Sequence, residues 1–122
     1  MIIINFTKPV QTNETTLDHS PGENISTLKP GGEIIDDSGT SLSAALVSSI
    51  AALIRSYYPS LTAPEVKQIL MDSSVKYDIL VDVPTDEDPD RQLPFSELSK
   101  SGGIVNAYNA MLMAAEMAKK KE

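Results

Sequence analysis

The sequence contains no cysteine and no tryptophan, and its single histidine is His19. Without cysteine there can be no disulfide, no thiol nucleophile and no zinc–thiolate site, and redox chemistry says nothing of compartment. Aromatic residues make up only 5% of the chain. A core must therefore be built from Ile, Leu, Val, Ala and Met. Positive charge is also scarce, with 10 Lys and Arg against 17 Asp and Glu and a net charge of −7. That argues against nucleic acid or an anionic membrane as a partner, since both are bound by basic side chains neutralising phosphate. No apolar run is long enough to cross a bilayer. Met1-Ile2-Ile3-Ile4 is too short for a signal peptide and lacks its basic start, so localisation cannot be read from the chain.

With 122 residues, 41% of them apolar, the chain is expected to form one domain over residues 1–122. No internal repeat and no linker interrupts it. Residues 2–6 and 15–19 read as short strands, separated by Pro9 and Asn13. Residues 24–28 read as a third strand. Lys29-Pro30-Gly31-Gly32 reads as a hairpin turn, with Glu33-Ile34-Ile35 as the return strand. Three N-x-S/T triplets, at Asn5, Asn13 and Asn24, are expected by chance in a Ser/Thr-rich chain and are not read as glycan sites.

The longest apolar pattern begins at a Ser-rich turn. Leu42, Ala45, Leu46, Ser49, Ile50, Leu53, Ile54 and Tyr57 recur with the helical period, predicting a helix over about 40–58. The other faces carry mostly Ser and Ala, which predicts a central helix packed on several sides. Thr62-Ala63-Pro64-Glu65 opens a second helix with a capping-box pattern. Residues 75–83 alternate as a strand. Thr85-Asp86-Glu87-Asp88-Pro89-Asp90 lacks the glycine and the spacing of a calcium loop and reads as a solvated acidic loop, so no metal ligand is assigned. After Ser101-Gly102-Gly103, a last helix is expected from Ala107 to about Lys120, its Met residues at core spacing.

Ser41 falls in the first turn of the 40–58 helix. The first N–H groups of a helix have no partner within it and carry partial positive charge. A serine there can cap them, or it can act as a nucleophile whose oxyanion they stabilise. Binding of an anion at this helix start ranks last, because Asp36 and Asp37 lie beside it. The strand–turn–helix elbow G-x-S-x-G is not matched around Ser43.

Gly39-Thr40-Ser41-Leu42-Ser43-Ala44-Ala45 resembles the G-T-S-M-A-x-P signature around the nucleophile of subtilisin-like serine proteases. Ser20-Pro21-Gly22-Glu23-Asn24-Ile25 resembles the A-P-G-x-x-I segment upstream of it. The run from Ala51 to Thr62 resembles the family's "aalirsyyPsLt" continuation, and Gly103-Ile104-Val105-Asn106-Ala107 its G-x-V-N-A element. Order and spacing are similar to the C-terminal third of that catalytic domain, in bacterial members of the Bacteroidetes type. The resemblance implies an α/β fold: a small, mostly parallel or mixed sheet of four or five strands packed against three helices. It implies Ser41 as the catalytic residue, no cofactor, and a peptide or protein substrate. It also implies secretion or a cell-envelope location for the parent family.

The family's Asp, His and oxyanion-hole Asn lie upstream of the segments matched, and His19 does not sit in an H-G-T-H-V context. Ala45 replaces the signature Pro, and Ser49 replaces a Gly of the helix. A serine without an adjacent base is a weak nucleophile. Two expectations follow. One is a fragment or redesigned derivative of a serine endopeptidase, monomeric and inactive alone, its exposed faces adapted by Asp36, Asp37, Ser43, Ser48 and Ser49. The other is the nucleophile-bearing part of an active protease, completed by an N-terminal portion or a partner chain.

Overall fold

The computed structural model describes Ser20 and residues 22–121; the strands expected at 2–6 and 15–19, and His19, lie outside the described residues. Strands β1 (Ile25–Leu28) and β2 (Ile34–Asp37) form an antiparallel hairpin with Leu28 opposite Ile34 and Ile25 opposite Asp37. Its turn places Gly31 and Gly32 at φ 101° and 87°. A side chain strains that left-handed backbone, and glycine does not. The Ser26 hydroxyl donates to Asp36 Oδ1 across the ladder at 2.7 Å.

Helix α1 (Thr40–Tyr57) follows, and Pro59 lies beyond its end. Helix α2 (Ala63–Asp72) starts at Thr62, whose N–H and hydroxyl both donate to the Glu65 carboxylate, at 2.7 and 2.8 Å. Helix α3 (Ala107–Lys119) is capped by Asn106, whose side-chain oxygen accepts from Asn109 N–H at 2.9 Å. The three helices enclose one core: Ile54 of α1, Leu61, then Val66, Ile69 and Leu70 of α2, and Ala110 and Ala114 of α3. Burying a large aliphatic side chain stabilises by about 1.5–3 kcal/mol, so this cluster is the main anchor of the fold. The small Ala110 and Ala114, both fully buried, let α3 approach closely.

The stretch expected as one strand over 75–83 is two. β3 (Val75–Lys76) pairs antiparallel with β6 (Gly103–Ile104), and β4 (Leu80–Asp82) pairs antiparallel with β5 (Gln92–Pro94). A second, smaller core of Val83, Phe95 and Leu98 lies here, with Tyr77 edge-on to Phe95 at 6.3 Å between ring centres. The acidic loop closes the β4–β5 hairpin. Asp88 N–H donates to Thr85 Oγ1 at 3.0 Å and Thr85 N–H to the Asp88 carbonyl at 3.0 Å, a local turn with its carboxylates exposed.

The class is α/β with three helices, as expected. The strand arrangement corrects the expectation of a mostly parallel or mixed sheet: among the described residues there are three separate two-stranded antiparallel sheets. Hairpin connections, as between β1 and β2, can only give antiparallel neighbours. The expectation of an α1 packed on several sides is corrected as well. Its one fully buried residue is Ile54; Val47, Ile50 and Ala51 are partly buried on the same face, and Leu53 and Tyr57 are 42% and 67% exposed. No helix among the described residues is long and apolar enough to cross a membrane.

Candidate active site

The start of α1 is built by two pieces of chain. From one side β2 runs through Asp37 into Ser38 and Gly39, with Asp37 Oδ1 accepting from Ser38 N–H at 2.8 Å. From the other come Ser20 and residues 22–24. Gly39 N–H donates to the Gly22 carbonyl at 2.7 Å, and Asn24 N–H donates to Ser38 Oγ at 3.0 Å. A Cβ on Gly22 would overlap Ser43 Oγ and stand 3.0 Å from the Gly39 carbonyl. Glycine is thus what permits the two segments to touch. Asn24 takes φ 52°, a left-handed conformation that asparagine tolerates better than most residues.

Gly39 is the N-cap of α1, with extended backbone and no side-chain capping bond. Its carbonyl accepts from Leu42 N–H at 3.1 Å and Ser43 N–H at 3.4 Å. The N–H groups of Thr40 and Ser41 find no partner among the described residues. Ser41 is exposed and is not the cap. A hydroxyl free of capping duty, beside two unpaired N–H groups carrying the positive end of an 18-residue helix, suits attack on a carbonyl with the oxyanion held by backbone.

Among the described residues, no histidine is brought to Ser41 to activate it. The described residues include no histidine, and His19 lies outside them. Asp36 and Asp37 are exposed and engaged by Ser26 and by Ser38 N–H respectively. Among the described residues no group of three or more His, Cys, Asp or Glu is placed to hold a metal ion. Ser38, Ser43 and Gly22, which shape the turn, were not singled out as site residues by sequence reasoning. The signal available for them was their place within the two motifs that frame Ser41.

The profile of the subtilase family, peptidase S8, matches residues 14–107. The chain belongs to the subtilase family. Over 67 residues it is 42% identical to a subtilase cytotoxin subunit of Escherichia coli, spanning 55% of this chain and 19% of that protein. A solved structure of the subtilase cytotoxin SubAB assembly superposes with a TM-score of 0.61 at 30% identity, over 84% of this chain and 27% of the other. The patellamide maturation protease PatA superposes with a TM-score of 0.54 at 26% identity, over 79% of this chain and 32% of that one. The chain therefore spans less than a third of each of these relatives.

Proposed function

We propose that this chain is the nucleophile-bearing segment of a subtilisin-like serine endopeptidase of the Bacteroidetes type, that Ser41 is its nucleophile, and that residues 1–122 by themselves form one monomeric domain without catalysis. The observation that carries this reading is the exposed Ser41 at the start of α1, where the N–H groups of Thr40 and Ser41 have no partner among the described residues. In the reaction, Ser41 Oγ attacks the scissile carbonyl and its proton passes to a base. Its own N–H then helps hold the tetrahedral oxyanion until the amine leaves with that proton, returned by the base, and water afterwards releases the acyl group from Ser41. That base is a histidine oriented by an aspartate in this class of hydrolase. With His19 as the only histidine, outside the family's motif, the isolated chain lacks a matching base and takes no peptide substrate alone. Excision or redesign as a free-standing module is supported by the exposure of Asp36, Asp37, Ser48 and Ser49.

A second reading has the same segment completed by an N-terminal portion or a partner chain into an active protease acting on peptide or protein. It is supported by the large apolar side chains left exposed on α1, Leu53 and Tyr57, which a free-standing surface does not need.

Labelling with a fluorophosphonate probe tests both. The chain alone, shown folded by cooperative unfolding, is expected to stay unlabelled. Labelling that disappears in Ser41→Ala would overturn the inactive reading. Adding the upstream portion of a subtilisin-like catalytic domain in trans is expected to restore Ser41-dependent labelling under the second reading, and continued silence sinks that reading.

A further inference from the structure

Three hydrogen bonds join Ser20 and residues 22–24 to the start of α1. Two of them, Gly39 N–H to the Gly22 carbonyl and Asn24 N–H to Ser38 Oγ, meet the chain before the helix begins. The third comes from inside the helix: Ser43 Oγ donates to the Ser20 carbonyl at 3.1 Å. Ser43 is half-buried against this segment, while Ser41 is exposed. Residues two apart on a helix do not share a face, so one side of this first turn grips the neighbouring chain and another presents the nucleophile. The Ser43 hydroxyl also lies where a Cβ on Gly22 would be, so glycine and serine are fitted to each other. The subtilisin-like signature quoted above has alanine at the place of Ser43, so this bond belongs to the present chain and not to the motif.

We propose that Ser43 is a positioning residue. By holding the Ser20 carbonyl it keeps the neighbouring segment seated on the helix start, and that seating fixes the direction of the Thr40 and Ser41 N–H groups. Its catalytic meaning rests on the reading of Ser41 as nucleophile; the tie itself does not.

Amide exchange measured by NMR on the 122-residue chain tests this in Ser43→Ala and Ser43→Thr. In the alanine variant, Gly39 and Asn24 N–H are expected to exchange about fivefold faster, the effect of losing one neutral hydrogen bond on a local opening. The Thr40 and Ser41 amide resonances are expected to shift, while Ile69, Ala110 and Ala114 keep their rates. Threonine, which retains the hydroxyl, is expected to restore both signals. Unchanged exchange at Gly39 and Asn24 would overturn the proposal. So would acceleration shared equally by Ala110 and Ala114, or a threonine variant that behaves like alanine. A Ser41 that fails to label in a completed protease leaves these rates untouched, so the two readings fail separately.

Discussion

Along α1, Ile54 is fully buried against α2 and α3, while Ser41 near the other end of the same helix is exposed and its surroundings are held by three hydrogen bonds to Ser20, Gly22 and Asn24. The C-terminal half is fixed by apolar area, which is non-directional and tolerates small shifts. The start of the helix is held by hydrogen bonds, which are directional and fail with small shifts. If Ser41 acts as proposed, it must stay open to substrate and cannot be held by burying it. Directional polar bonds to a neighbouring backbone hold its frame and leave its side chain free.

Ile69→Ala should break the packed side of this comparison. Ile69 is fully buried in the helical core, and loss of its side chain is expected to cost about 2–5 kcal/mol. Ser41→Ala, at an exposed position, should stay within about 0.5 kcal/mol of the parent. Urea unfolding of the two variants side by side measures the contrast; equal costs would mean that the Ser41 side chain carries as much stability as the buried core.

The hydrogen-bonded side is most exposed to change at Gly22. Gly22→Ala drives a Cβ into Ser43 Oγ and the Gly39 carbonyl, with an expected cost of about 1–3 kcal/mol. Exchange at Gly39 N–H should rise more than exchange at Ala110. The reverse order would show that Gly22 supports the core and not the helix start.

A smaller effect of opposite sign is expected at Ser20. Its hydroxyl is buried and has no hydrogen-bond partner among the described residues, while its carbonyl serves Ser43. Ser20→Ala keeps the carbonyl and removes the unpaired group, so it should raise stability by about 1 kcal/mol. A loss of stability in thermal unfolding would reveal a bond made by that hydroxyl.

The smallest effect concerns the junction of α2 with the end of α3. Lys121 Nζ donates to Glu65 Oε2 at 2.6 Å and to the Ser60 carbonyl at 3.1 Å. The Lys121 ammonium, helped by the N–H and hydroxyl of Thr62, holds the Glu65 carboxyl down from 4.5 to about 2. A carboxyl with a lowered folded-state pKa contributes stability that is complete above its unfolded value. That contribution is lost as pH falls through the folded one, here between 4.5 and about 2. An NMR titration of the Glu65 carboxyl should find its midpoint in the low range, moving toward 4.5 in Lys121→Ala. A midpoint unmoved by that substitution would assign the effect to Thr62 alone. Both side chains of the pair remain about one-third accessible to solvent, so salt should weaken it.

The helices were legible because their signals are local. The 3.6-residue spacing and the Thr62–Glu65 cap each act within a few residues, and the structure has helices where they put them. The β1–β2 turn was legible for the same reason, in Gly31 and Gly32. The alternation over 75–83 misled. Residues 77–79 leave the strand because β3 and β4 answer to different partners, β6 and β5, and a partner's place is not written in a strand's own alternation.

What the sequence alone determined is the three helices, the β1–β2 hairpin and the place of Ser41 in the first turn of a helix, because period, caps and turn residues are properties of short stretches. Its motifs also carried the membership of the subtilase family. Only the tertiary structure decided that the described strands lie in three separate two-stranded sheets, that α1 buries one face with Ile54 deepest, and that Ser43 and Gly22 frame the surroundings of Ser41. Each of those depends on which distant residues come into contact, and contact between Ser20 and Ser43, or between Ile54 and Ala110, is settled by packing and not by any local pattern.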